Sequence, residues 1–169
     1  MPKNRQFLRT SGILVLALLA LSAMAGAQVW TAVASSGAVR DASINNYATS
    51  DAALFFRAGA TGNIWAAYNV TNPRDISSPA WTTLEFTARN SGSSLGALAT
   101  ATLYRVPRGS ASALAMCTAI TPAGGVLSTS TCTFSSFLID FANNSYVVVI
   151  SLGRDNTSQV EAAYSLRIF

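Results

Sequence analysis

The sequence has no histidine and few charges: of 169 residues, two are cysteine and 11% are charged. Without imidazole, a serine nucleophile lacks its usual base, and a zinc site lacks its commonest nitrogen ligand. The only lysine, Lys3, lies in an N-terminal segment that we expect to be removed. These absences exclude histidine-based catalysis, a zinc centre and a lysine Schiff base from the mature chain.

Residues 1–27 have the three parts of a secretory signal. Lys3, Arg5 and Arg9 form a basic start, a 14-residue apolar block spans residues 12–25, and small residues follow up to Ala27. The block is shorter than the ~20 residues of a bilayer-spanning helix. We therefore predict a signal helix cleaved after Ala27 and export to the extracellular space or periplasm, with no membrane attachment afterwards.

The mature chain, residues 28–169, is nearly uncharged. It carries eight arginines and seven carboxylates, so its net charge is +1, and the basic isoelectric point of the whole sequence comes from the signal. Binding to a nucleic acid depends on basic residues that neutralise phosphates, and this balance does not provide them. The length fits one domain, and we predict no partner among nucleic acids.

Two cysteines agree with export. Cys117 and Cys132 are the only pair in the chain, so only one intramolecular disulfide can form. An oxidising compartment favours that bond. Their spacing is not that of a redox-active Cys-x-x-Cys pair, and we predict a structural role.

Strand-like alternation of apolar and polar residues replaces helical periodicity after residue 27. It is clear in residues 63–70, 81–89, 136–141 and 160–168, whereas residues 146–152 are apolar on both faces, as in a central strand. Further strands are predicted at residues 29–34, 44–48, 52–57, 98–106 and 114–118. This spacing predicts an all-β fold, an antiparallel β-sandwich of the jelly-roll or immunoglobulin-like kind.

Two tryptophans are placed on the polar side of their strands by this alternation. An exposed indole can stack on the C–H face of a sugar while neighbouring amides and hydroxyls bind its hydroxyl groups. If residues 63–70 and 81–89 pair as a hairpin, both indoles lie on one ribbon, at a spacing suited to a polymer. The predicted ligand-binding residues are Trp65, Trp81, Asn63, Asn69, Thr83 and Glu85.

The sequence gives little support for a catalytic site or a metal site. Asp140 and Glu161 are the most plausible carboxylate pair for glycoside hydrolysis, but the alternation places both on outward faces, where solvated carboxylates are ordinary. Asp75, Asn143–Asn144 and Asp155–Asn156 offer oxygen ligands for calcium without the spacing of a known calcium loop. We predict no enzyme, no catalytic residue, no metal and no cofactor.

The favoured function is a secreted, non-catalytic β-sandwich that acts through contacts, as a surface, matrix or adhesion-type domain. One alternative is a carbohydrate-binding module that uses the exposed tryptophans. A second alternative is a subunit of an extracellular filament, because the segment 28–34 could add a strand to a neighbouring copy. The expected partners are a polysaccharide or another surface protein, and self-association is open.

Overall fold

Two antiparallel sheets packed face to face form the fold in a computed structural model, which describes residues 28–72, 78–92 and 98–169. The first sheet has the order β3 (Tyr47–Thr49), β4 (Leu54–Phe56), β11 (Glu161–Ile168), β6 (Thr83–Asn90) and β9 (Leu127–Thr133), and β1 (Trp30–Val33) also pairs with β11. The second sheet has the order β2 (Ala38–Val39), β5 (Gly62–Val70), β10 (Asn144–Arg154), β7 (Ala99–Pro107) and β8 (Leu114–Ile120). Three short 3-10 turns occupy Ala34–Ser36, Asp41–Ser43 and Ser136–Leu138.

The predicted all-β sandwich is confirmed. Most connections cross from one sheet to the other, and only β3–β4 and β7–β8 join neighbours within a sheet. This alternation between sheets is that of a jelly-roll sandwich. Within the described ranges, no helix has the length and apolar character needed to cross a bilayer. The predicted signal, residues 1–27, lies outside them.

The core lies between the sheets and is built from alternate residues of each strand. Phe86 on β6 and Leu166 on β11 face it from the first sheet, and Ile64 on β5 and Ile150 on β10 face it from the second; all four are fully buried. The strand β10 runs between β5 and β7, which confirms the predicted central position. The expectation that this strand is covered on both faces is wrong, because its outward residues Val147 and Val149 are only half-buried. Trp30 is buried as well and fixes β1 against the core.

The predicted disulfide is confirmed, and it joins the two sheets. Cys117 lies on β8, at the edge of the second sheet, and Cys132 lies on β9, at the edge of the first. The Cα atoms are 5.8 Å apart, within the usual range for a disulfide. The bond therefore joins the two sheets at edge strands between which the described residues form no backbone ladder.

Several strand assignments need correction. The turn Ser136–Leu138 replaces the strand expected at residues 136–141, and the side chain of Phe137 in it is 81% exposed. A seven-residue edge strand rich in hydroxyl side chains, Leu127–Thr133, was missed, since it has little of the apolar alternation that marks a strand. Gly59 and Gly62 have positive φ in the turn between β4 and β5, which crosses from the first sheet to the second.

Candidate functional site

The outer face of the second sheet carries the most exposed aromatic ring among the predicted site residues. On β5, Asn63, Trp65 and Asn69 point away from the core, because Ile64, Ala66 and Tyr68 between them are buried. The indole of Trp65 is half-buried, and the two asparagines on either side are exposed. This part of the predicted site therefore lies where the alternation placed it.

The backbone on both sides of Trp65 is fixed by the segment that precedes β3. Its amide donates a hydrogen bond to the Ser43 hydroxyl at 3.1 Å, and its carbonyl accepts one from the Arg40 amide at 3.0 Å. Ser43 is itself fully buried. The backbone that carries the indole is therefore held from the edge of the sheet.

Uncharged side chains continue this face across the sheet. Trp65 lies opposite Ser151 on β10, which in turn lies opposite Thr100 on β7. The hydroxyl oxygens of Thr102 on β7 and Thr118 on β8 are 2.9 Å apart and form a hydrogen bond. No outward-facing residue of the described strands β5, β10, β7 and β8 is an acid or a base with a full charge at neutral pH.

A second aromatic residue, Tyr104 on β7, belongs to this face and was missed. It lies opposite Val147 on β10, which lies opposite Asn69 on β5. The rows of Trp65 and Tyr104 are four residues and two strands apart, so their Cα atoms are about 16 Å from each other at ~3.3 Å per residue and ~4.8 Å per strand. The alternation of residues 98–106 already marks Tyr104 as outward, but the sequence does not show that β7 lies two strands from β5.

The exposure predicted for Trp81 is wrong. Trp81 is 2% exposed, and its indole N–H donates a hydrogen bond to the carbonyl of Gln28. Its ring meets Phe141 edge-on at 5.9 Å between centroids. The amides of both Thr82 and Thr83 donate to the carbonyl of Phe169, an irregularity that breaks the alternation by one residue at the start of β6.

Thr83 and Glu85 lie on the outer face of the first sheet, turned away from Trp65. The pairing of residues 63–70 with 81–89 as a hairpin is wrong, because β5 pairs with β2 and β10 while β6 pairs with β11 and β9. Glu85 forms a salt bridge with Arg167 at 3.3 Å on that opposite face. The six predicted ligand-binding residues are therefore divided among two outer faces and the core.

The carboxylate pair considered for hydrolysis is separated by the length of the sandwich. The amide of Asp140 donates to the Tyr146 hydroxyl at 2.6 Å near the start of β10, whereas Glu161 lines a cleft with Arg154 at the end of that strand. From Tyr146 to Arg154, β10 advances eight residues, or about 26 Å at ~3.3 Å per residue. The two carboxyl groups of a glycosidase are only ~5–10 Å apart. Glu161 is 2% exposed, so its predicted outward orientation is wrong, and Asp140 follows a 3-10 turn and is not on a strand.

The two carboxylates also differ in their surroundings. A hydrogen bond from the Asn143 side chain to Asp140, 2.7 Å long, holds the pKa of Asp140 below its ordinary value. Burial raises the pKa of Glu161, and the Ser91 hydroxyl at 3.3 Å partly opposes that rise. Asp140 serves as the capping group of its own turn, since it also accepts the Ala142 amide at 3.0 Å.

Metal ligands do not come together in the parts of the chain that the structure describes. No group of three or more histidine, cysteine, aspartate or glutamate side chains there could hold a metal ion. Asn143 and Asn144 are engaged with Asp140, and Asn156 binds Ser158 within its own turn. Asp75, the remaining candidate for calcium, lies outside the described residues.

Comparison with known proteins gives information on the fold and none on the site. No family model matches the chain, and no curated protein matches its sequence. A xylan-binding module described as CBM15 superposes with a TM-score of 0.51 and 16% sequence identity, over 85% of this chain and 96% of that one. At this identity the likeness shows a shared fold alone.

Two further solved structures are less similar. A family 6 carbohydrate-binding module has a TM-score of 0.48 at 9% identity, over 81% of this chain and 90% of that one. An adhesin domain of Lys-gingipain from Porphyromonas gingivalis W83 also has a TM-score of 0.48, at 12% identity, over 84% of this chain and 98% of that one.

Proposed function

We propose that the protein is an exported, non-catalytic module that binds a neutral polysaccharide on the outer face of its second sheet. The single observation that carries the proposal is the half-buried indole of Trp65, outward-facing between the exposed amides of Asn63 and Asn69 on an uncharged sheet face. An aromatic ring of this kind combines a large apolar surface with defined geometry. Flanking amides supply both donors and acceptors for sugar hydroxyls.

The arrangement across the sheet favours a polymer over a single sugar. Trp65 and Tyr104 lie about 16 Å apart between Cα atoms by strand geometry, with Ser151, Thr100 and Thr102 on the strands they span. A chain of several sugar units can contact both rings; Val149 lies midway between them, with Ala67 and the hydroxyl side chains of Ser151 and Thr102 beside it. The lack of charge on the outward positions favours a neutral chain over a uronic acid polymer or a phosphate-bearing lipid.

The fold agrees with this function. The xylan-binding module shares the sandwich, and xylan is therefore the first polymer to test. Export rests on the predicted signal, and the disulfide between Cys117 and Cys132 agrees with an oxidising compartment. The likeness to a xylan-binding module supports the alternative of a carbohydrate-binding module better than the surface, matrix or adhesion-type function favoured from the sequence.

Filament formation by strand donation finds less support. The arm that would be donated pairs within its own chain, from Trp30 opposite Ile168 to Val33 opposite Ser165. An arm already paired with β11 must first leave that strand before it can complete another copy. Self-association by this route remains a prediction that electron microscopy of the secreted protein can test.

Retention on insoluble polysaccharides tests the proposal. The secreted protein is mixed with xylan, cellulose, chitin and galactan, and the bound fraction is measured for wild type, Trp65→Ala and Tyr104→Ala. We expect at least one polymer to retain the wild type and Trp65→Ala to weaken binding about ten-fold or more, as for an aromatic residue at the centre of a binding surface. Thr131→Ala, exposed on the opposite face, is the matched control. Unchanged retention of Trp65→Ala, or no retention of the wild type by any polymer, contradicts the proposal.

A further inference from the structure

A pocket lies on the side of the sandwich, next to the outer face of the second sheet. Its volume is about 350 Å³, within the range typical of small-molecule sites, ~300–1,000 Å³. It lies between β1 and β5, and β2 does not reach it, because β2 begins at Ala38, opposite Ala67. Among the described residues, no strand pairs with this edge of β5 beyond Ala67. Asn69 belongs both to the pocket and to the proposed polysaccharide face, so the two are continuous.

Small side chains leave the space of the pocket open. Ala32, Ala38 and Ala67 line it with single methyl groups. The rings of Trp30 and Tyr68 also line it, but both are buried, so they close its inner end and offer no free face for stacking. A ligand in this pocket is therefore recognised through hydrogen bonds and through contacts with methyl groups.

The edge of β1 contributes open backbone groups to the pocket. Phe169 and Thr83 exchange two hydrogen bonds between the end of β11 and β6, so the preceding residue, Ile168, directs its amide and carbonyl to the other side, towards β1. Ile168 lies opposite Trp30. The amide and carbonyl of the next residue along β1, Thr31, therefore point away from β11, and no described residue forms a hydrogen bond with them.

The strand β5 contributes the same groups from the second sheet. The amide of Arg40 donates to the carbonyl of Trp65, so the backbone polar groups of Trp65 point towards β2. By the alternation of an antiparallel strand, those of Ala67 and Asn69 point the same way. Ala67 pairs with β2, whereas Asn69 lies beyond the end of β2. The backbones of Thr31 and Asn69 thus provide two donors and two acceptors at the walls of the pocket.

Exposed polar side chains complete the lining. The hydroxyl of Thr31 and the side-chain amide of Asn69 are exposed and form no hydrogen bond with another described residue. The hydroxyl of Ser36 is also exposed; it donates to the Val33 carbonyl at 2.8 Å and can still accept a hydrogen bond. None of the residues that line the pocket carries a charge. The ligand that matches this lining is neutral and rich in hydroxyl groups, as a sugar is.

The pocket lies beside the path proposed for the polymer and not on it. The line from Trp65 to Tyr104 passes over Val149 on β10, which lies opposite Ala67. Asn69 is one strand and two residues from Val149, so their Cα atoms are about 8 Å apart at ~4.8 Å per strand and ~3.3 Å per residue. A main chain on the two rings therefore reaches the pocket only through a substituent that projects sideways over Asn69.

We propose that this pocket binds a sugar branch of the polysaccharide whose main chain lies on Trp65 and Tyr104. Hydroxyls of the branch exchange hydrogen bonds with Thr31 and Asn69, while its C–H groups contact the methyl group of Ala38. The inference rests on the proposed function and narrows its ligand to a neutral, branched polysaccharide.

Pairs of oligosaccharides with the same main chain, one linear and one branched, test the inference. The pairs are xylohexaose with and without an arabinose branch, mannohexaose with and without a galactose branch, and cellohexaose with and without a xylose branch, each measured by isothermal titration calorimetry. We expect the branched member of at least one pair to bind about ten-fold more tightly than its linear partner, because it adds hydrogen bonds to groups that have no partner in the protein. Amide NMR resonances of Thr31, Ser36 and Ala38 should shift with that branched member and stay in place with the linear one.

Substitutions at Thr31 separate the pocket from the polysaccharide face. Thr31→Val removes the hydroxyl, and Thr31→Trp fills the pocket from an exposed position of β1. Both should reduce the preference for the branched member and leave the affinity for the linear member unchanged. Thr131→Val and Thr131→Trp, at an exposed position of β9, are the matched controls and should keep the preference. Trp65→Ala should weaken the binding of both members, because the main chain lies on that ring.

The pocket inference is overturned if linear and branched members bind equally in every pair, a result that leaves the proposed function intact. It is also overturned if Thr31→Trp retains the full preference, or if a linear member shifts the Thr31 amide as strongly as its branched partner. Failure of every oligosaccharide to bind overturns it as well, and the proposed function falls with it only if retention on the insoluble polymers also fails.

Discussion

Gly37 lies directly against the phenol ring of Tyr68, and the Tyr68 hydroxyl donates a hydrogen bond to the Ala34 carbonyl at 2.5 Å. Tyr68 is 4% exposed, and burial raises its pKa well above the ordinary value of tyrosine. A Cβ atom added at Gly37 would lie 2.7 Å from the Tyr68 hydroxyl oxygen. This contact holds the segment between β1 and β2 onto β5, the strand that carries Trp65.

Gly37→Ala should destabilise the fold by about 1–3 kcal/mol, the usual cost of overpacking a filled site. The backbone at Gly37 has a φ of −73°, which alanine adopts freely, so the loss comes from the contact with Tyr68 and not from the backbone. Chemical denaturation measures it, with the exposed neighbour Ala38→Ser as control. Equal midpoints for the two variants would show that the phenol ring moves aside at no cost.

Reduction of the disulfide should lower stability by roughly 3 kcal/mol, the chain-entropy value for a loop of about 15 residues. Because Cys117 and Cys132 lie on the edge strands of different sheets, we expect amide hydrogen exchange to increase first along β8 and β9. Thermal unfolding with and without reductant gives the magnitude. The double variant Cys117→Ser/Cys132→Ser, treated in the same way, controls for effects of the reductant. A uniform increase in exchange over both sheets contradicts the local role.

Trp81→Ala should destabilise the protein by about 3–5 kcal/mol, as for other buried aromatic residues, because it removes the contact with Phe141 and the hydrogen bond to Gln28. Trp65→Ala should cost far less, since its indole is half-buried on an outer face. Urea unfolding of the two variants compares them directly. A larger loss of stability for Trp65→Ala than for Trp81→Ala would contradict the burial of Trp81.

Because of Glu161, the free energy of unfolding should decrease as the pH rises from about 4.5, the ordinary pKa of glutamate, through the raised pKa of Glu161 in the folded state. In that window the folded protein retains a proton that the unfolded chain has lost, so each further rise in pH costs stability, and Arg154 moderates the cost. Glu161→Gln should remove this slope, whereas Glu85→Gln, which breaks only the exposed pair with Arg167, should keep it. Denaturation midpoints at pH 4 and pH 8 provide the measurement. Identical pH profiles for wild type and Glu161→Gln contradict the burial of the carboxyl.

The sequence predicts the sandwich well because alternation reports burial one strand at a time. Residues 63–70 were assigned correctly for this reason, and so was the outward orientation of Trp65, whereas residues 146–152 were assigned from a continuous apolar, β-branched run. Alternation does not report which strands are neighbours, so the hairpin of residues 63–70 with 81–89 could be considered only as one possible pairing, and it does not form. Strand order depends on contacts between residues far apart in the chain.

Local irregularities account for the other errors. Trp81 was misplaced by the two consecutive amides of Thr82 and Thr83 on one carbonyl, which shift the register by a single residue and leave no mark in the composition. Glu161 was misplaced because the register of β11 against β6 shifts between Ala163 and Ser165, so Glu161 and Ala163, before this irregularity, are both buried although the alternation placed them outward. The disulfide was predictable because only one pairing exists.

Amide and indole NMR of the secreted protein, titrated with soluble fragments of the polymer that retains it best, tests the central claim most directly. The account predicts saturable shifts at Asn63, at the indole of Trp65 and around Tyr104, together with β10 between them, and no change at Thr83 or Glu85. Shifts confined to the outer face of the first sheet, or none on β5, β10 and β7, would contradict it.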